Sequence, residues 1–185
     1  MQVWGKIFRK SIIYENRIGF NTKMQLSEDS DFTLHYLMHC SRISISDTIF
    51  YHYSIDNEST MRSNADKKVL QYIEAMNITS KYIEKQHENV QLAFNDYILM
   101  HLNIACVRGI FCVNNKENYV KKIEHIKKII NTPVFKDAIK KFHIKNNFSA
   151  RTLPVFFMKY KLVHIASIIY IVRAYQNYIY EKSRN

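Results

Sequence analysis

The sequence predicts a mostly α-helical chain with one small β element, an α+β class. Three observations lead there. Among 185 residues only Gly5, Gly19 and Gly109 are glycine, and only Pro133 and Pro154 are proline. An all-β sandwich needs many more turn formers than that. From about residue 65 onward, apolar residues recur at helical spacing almost to the C-terminus. Between Ile43 and Tyr53, β-branched and aromatic residues alternate with polar ones, the pattern of one strand or hairpin arm.

In chain order, residues 3–20 read as a short strand or turn and then a brief helical piece closed by Gly19. Ser27 is placed to cap the next helix, over residues 28–40, with Glu28, Asp29 and Asp31 in its first turn. Acids are favoured there because unpaired N–H groups and the macrodipole concentrate positive potential at a helix start. An apolar stripe of Phe32, Leu34, Leu37 and Met38 follows. The predicted strand covers Ile43, Ile45, Ile49 and Tyr51-His52-Tyr53, and Ser54 to Asn64 is polar and loop-like. Val69, Leu70, Ile73, Met76 and Ile83 define a helix running to Gln86, and a more apolar one spans Val90 to Val113, broken by Asn114-Asn115. Tyr119 to Ile130 is amphipathic, with lysines opposite Val120, Ile123, Ile126, Ile129 and Ile130. Pro133 suits the first turn of a short helix through Phe142. After a polar connection, Leu153 to Tyr180 forms a last aliphatic and aromatic segment. Two regions are expected: 1–63, and a helical 64–185.

At 47% apolar and 23% charged residues the chain has the composition of a globular protein. Its net charge of +11 is uneven. Residues 1–115 carry 12 Lys/Arg and 12 Asp/Glu, whereas residues 116–185 carry 15 and 4. The whole excess therefore lies in the helical back part. Three glycines far apart exclude a Gly-rich phosphate loop. Cys40, Cys106 and Cys112 are odd in number and lack CxxC spacing, so idle thiols in a reducing compartment are expected. The N-terminus lacks the charged-then-apolar layout of a signal peptide. Lys159, Lys161 and His164 interrupt the last apolar segment, which argues against a spanning helix. An interfacial helix fits better, with Phe156, Phe157, Tyr160, Leu162, Ile165, Ile168, Ile169 and Val172 entering the headgroup boundary of an anionic membrane. No zinc finger, RNP-like run or Arg-rich recognition helix is present, so no nucleic-acid partner is expected. His35 and His39 have the spacing of a zinc pair but no glutamate follows His35, and a solvated helix face is the reading preferred.

Chemistry concentrates around Glu28-Asp29. Upstream lie Val3-Trp4-Gly5-Lys6, Phe8-Arg9-Lys10 and Gly19-Phe20; Phe32 stands three positions after Asp29, and Tyr51-His52-Tyr53 follows. This order resembles the second half of the family-2 glycosyltransferases that build bacterial surface polysaccharides. The resemblance covers about residues 2–62, with Ser27 where the family usually has glycine.

The resemblance implies the C-terminal part of a GT-A-like enzyme followed by a helical tail, with the nucleotide-binding half absent. It implies that Asp29 is the general base of an inverting sugar transfer, taking the proton of the acceptor hydroxyl, and that Glu28 holds the acceptor or the loop. Trp4 and Lys6 would line the acceptor side, where a flat indole can stack on a sugar ring, or brace the acid helix, and Arg9 would bind substrate; Trp4 as a plain core residue is the competing reading. The intact enzyme would take a nucleotide-sugar donor, a saccharide or lipid-linked acceptor and a divalent metal, Mg or Mn, held by an Asp-x-Asp motif. Asp29-Ser30-Asp31 sits on the wrong element for that role, so no metal is expected on this chain alone, and the isolated chain need not be active. The implied location is cytoplasmic, at the inner face of the plasma membrane. The competing reading is a non-catalytic basic helical module that binds anionic surfaces or protein partners.

Overall fold

A computed structural model of the chain describes residues 2–52, 65–144 and 149–183. The chain divides into two compact units, Met1–Thr60 and Met61–Asn185.

The first unit holds α1 (Lys10–Glu15) and α2 (Glu28–Met38). Its core is small: Ile18, Phe32 and Tyr36 are buried, with Val3, Phe8, Ile12, Ile13 and Cys40 packed against them. Rings supply much of the cohesion. Phe8 meets Phe32 and Tyr36 edge-on at centroid distances of 5.3 and 4.8 Å, and Phe20 stacks on Phe32 at 4.6 Å. Each such pair adds about 0.5–1.5 kcal/mol beyond its buried area.

Both ends of this unit's helices differ from the expectation. Arg17, not Gly19, closes α1: it adopts φ 50°, and its N–H and that of Ile18 bond back to the carbonyls of Tyr14 and Ile13. That is a Schellman closure, with Ile18 tucked into the core. Ser27 does not cap α2 through its side chain. Its φ is 67°, left-handed, and no cap hydrogen bond forms. Side-chain capping needs an extended backbone at that position. A glycine would occupy this φ without steric cost.

The predicted strand is also corrected. Residues 42–52 form no strand, and no strand occurs among the described residues. Ile43, Ile45 and Ile49 are exposed, Ile45 to 94%. Alternation gives a segment the capacity to pair, but a strand needs a ladder partner and a face to bury. Tyr53 and the loop over residues 54–64 lie outside the described residues.

The second unit is helical: α3 (Ala65–Ile83), α4 (Glu88–Ile104), a π-helical turn (Ala105–Ile110), α5 (Tyr119–Ile130), α6 (Pro133–Lys141), α7 (Leu153–Lys159) and α8 (Val163–Lys182). Its core residues, among them Met76, Leu102, Ile110, Ile126, Ile129, Phe135 and Tyr170, are fully buried. α4 packs against α3 and α6, and α8 packs against α5 and α7. His87 opens α4, its Nδ1 accepting from the Asn89 N–H at 3.3 Å. The single helix expected over Val90–Val113 changes register after Ile104. There the Phe111 N–H reaches the Cys106 carbonyl, five residues back, at 2.8 Å. Asn115 ends the run by donating to the Ile110 carbonyl at 2.8 Å. Asn118 caps α5 by accepting from Lys121 N–H, and Pro133 starts α6. The segment expected over Leu153–Tyr180 is two helices. Lys161 at φ 62° separates them, with its own N–H bonded to Met158 O and that of Leu162 to Phe157 O.

Candidate functional site

The acid turn of α2 is the centre of the first unit. Glu28 and Asp29 are half-buried, while Asp31 is buried. The Val3 N–H donates to Asp29 Oδ2 at 3.4 Å. The Thr33 hydroxyl donates to the Asp29 carbonyl at 2.7 Å, which ties the first turn to itself. The segment carrying Trp4 is thus held beside the acid turn. Trp4 is partly exposed and stacks on Tyr51, with centroids 5.9 Å apart and planes 17° apart.

The remaining implied site residues are less engaged. Lys6 is exposed, and its Nζ donates to the Gln2 carbonyl. Arg9 is fixed by its backbone, whose N–H donates to the Tyr36 hydroxyl at 2.7 Å; Arg9 itself is exposed. Among the described residues no hydrogen bond joins Lys6 or Arg9 to Glu28 or Asp29. The structure therefore brings the Trp4 segment to Asp29, and leaves both cations at the surface. His52 is exposed, and His39 Nδ1 lies 2.8 Å from the His35 carbonyl. Among the described residues no group of three His, Cys, Asp or Glu could hold a metal ion.

Sequence reasoning missed Asp31 as a buried carboxylate. Its Oδ1 has no hydrogen-bond partner among the described residues. Burial raises its pKa above the ordinary carboxylate value, and the nearby His35 partly offsets this. The one sequence signal was its place next to Phe32, on the face that folds inward.

In the second unit, burial pushes the His101 imidazole down to about 4. That ring lies 4.4 Å from Tyr97 and 5.8 Å from Tyr72, and neither of its nitrogens has a hydrogen-bond partner among the described residues. Asn103 donates to the carbonyls of Leu99 and Arg151 and accepts from Arg173. A groove of about 290 Å³ runs past Asn77, Gln91, Phe94, Asn95 and Asp137. These features are built from packing that no short motif announces.

No protein-family model matches the chain. No solved structure matches it either. The chain is similar to a Bacillus subtilis (strain 168) protein described as "Putative glycosyltransferase EpsH", at 22% identity over 186 residues. The match takes in 98% of this chain and 53% of that protein, so the chain spans about half the length of this curated relative. The likeness is distant. It supports a glycosyltransferase-like chain, and the observed architecture is mostly helical.

Proposed function

We propose that the chain supplies the acceptor side and the catalytic base of an inverting, family-2, GT-A-like glycosyltransferase. The observation that carries this reading is the half-buried Asp29 carboxylate, held through Oδ2 by the Val3 N–H beside the Trp4–Tyr51 stack. The distant likeness to a protein described as a glycosyltransferase adds support.

In this reading Asp29 Oδ1 takes the proton of an acceptor hydroxyl as its oxygen attacks the anomeric carbon. The bond from that carbon to the nucleotide's phosphate oxygen breaks, and the nucleoside diphosphate leaves with the electron pair. Configuration inverts because attack and departure occur on opposite faces. Holding Oδ2 with a backbone donor orients the carboxylate, and orientation is a large part of what general-base catalysis requires. Trp4 presents a flat apolar ring to a sugar face, and Glu28 stands one residue away to accept from acceptor hydroxyls. Lys6 and Arg9 are exposed cations on the same stretch, and in this reading they contact the saccharide or lipid-linked acceptor. In this reading the nucleotide and a divalent metal, Mg or Mn, are held by a nucleotide-binding half that the chain would complete, and no step is assigned to a metal here.

Calorimetric titration with UDP-sugars plus manganese tests the division of labour. No binding by the chain alone, with sugar transfer appearing once a nucleotide-binding half is supplied, is the expected result. Saturable metal-dependent binding by the chain alone, or no transfer with the half supplied, would contradict the reading.

A further inference from the structure

α8 is apolar on two opposite faces, and only one of them is covered. Between Val163 and Tyr180 its single Lys, Arg, Asp or Glu is Arg173. Val163, Ala166, Ser167, Tyr170 and Ala174 face the core and are buried. Successive helical residues are 100° apart, which sets Ile165, Ile168, Val172, Tyr175 and Ile179 along one line on the far side. All five are exposed, between 42% and 60%. A soluble helix ordinarily carries charge on that side, and one that is apolar all round is ordinarily buried all round. The uncovered line is too regular for scattered surface apolar residues.

The charge around the line indicates its occupant. Lys161 and Lys182 stand at its two ends, and Glu181 is the one acid over residues 149–183; Lys159 and Arg173 turn away from the line, to the Phe142 carbonyl and Asn103 Oδ1. Tyr160, Tyr175, Tyr178 and Tyr180 are exposed along the same helix and at its entry. Tyrosine favours the membrane–water boundary, where its ring is in the acyl edge and its hydroxyl among headgroups. Among the described residues no helix is long and apolar enough to cross a membrane.

We propose that the outer face of α8 docks in the plane of an anionic lipid surface, with Ile165, Ile168, Val172, Tyr175 and Ile179 inserted and the flanking lysines at the headgroups. This differs from the sequence-based face: Phe156, Phe157 and Ile169 turn partly inward, and the inserting line runs on to Ile179. The inference is independent of sugar transfer and stands or falls without it.

The test is co-sedimentation of the full chain with vesicles of phosphatidylcholine alone or mixed with phosphatidylglycerol. Binding should require the anionic lipid and weaken as salt rises. The I168E/V172E variant should bind weaker by about tenfold or more, with its circular dichroism unchanged because both sites are exposed. Tyr175→Trp, which perturbs the fold least, should show an emission blue shift on anionic vesicles only. Sedimentation velocity without lipid tests the competing occupant. A dimer that I168E/V172E dissolves would assign the face to a second copy and overturn the proposal. So would vesicle binding that I168E/V172E leaves intact, or no binding and no Tyr175→Trp shift.

Discussion

The Val3 N–H and the Asp29 carboxylate meet at 3.4 Å although 26 residues separate them in the chain. One bond therefore ties the N-terminal segment to the start of α2 and orients the proposed base. Asp29→Ala should destabilise the first unit by about 1 kcal/mol, the ordinary worth of one half-exposed bond to a charged acceptor. Asp29→Asn keeps a carbonyl acceptor and should cost less. Urea unfolding followed through Trp4, the only tryptophan, reads both; equal costs for the two variants would show that the bond does not act as described.

Lys161 holds φ 62° to close α7. A left-handed residue other than glycine costs about 1–2 kcal/mol, which glycine avoids at an entropic cost of about 0.5–1 kcal/mol. Lys161→Gly should therefore stabilise by up to about 1 kcal/mol, and Lys161→Val should destabilise. A rise in the urea midpoint for glycine and a fall for valine is the expected pair of results.

Much of the fold could be read from the sequence, and the failures share a cause. Pro133 and the isoleucine stripe of α5 are local signals, and local signals place those helices well. The π turn at Ala105–Ile110 and the break at Lys161 come from how the helices pack, and no residue type marks either. Ile43 to Tyr51 carries a real alternation but has no ladder among the described residues. At the candidate site, the acid turn was legible because first-turn acids are sequence-local, whereas the side-chain cap expected of Ser27 does not form. The Val3 contact and the burial of Asp31 were not legible, because both depend on which face turns inward.

His101 makes a pH dependence. Its folded pKa is about 4 against an ordinary 6.5, so the unfolded chain binds the proton more readily. Stability is then complete above pH 6.5 and is lost as pH falls toward 4, by on the order of 3 kcal/mol in all. His101→Phe should flatten this part of the stability profile. An unchanged acid limb in the variant would contradict the assignment.

Asp31 has the opposite sign. Burial raises its pKa, so the folded state prefers the neutral acid, and its contribution worsens as pH rises above the unfolded value of 3.8. Asp31→Asn should stabilise the first unit at neutral pH, with the gain shrinking in acid. A variant less stable than wild type at neutral pH would show that the carboxylate has a compensating role.

Asp29→Asn in a sugar-transfer assay, with a nucleotide-binding half supplied, is the most direct test of the central claim. Loss of a positioned general base lowers turnover by about 10²–10⁴-fold. That fall, with acceptor KM little changed and the fold intact, is the predicted result. Transfer undiminished in Asp29→Asn would mean that Asp29 is only a first-turn helix acid.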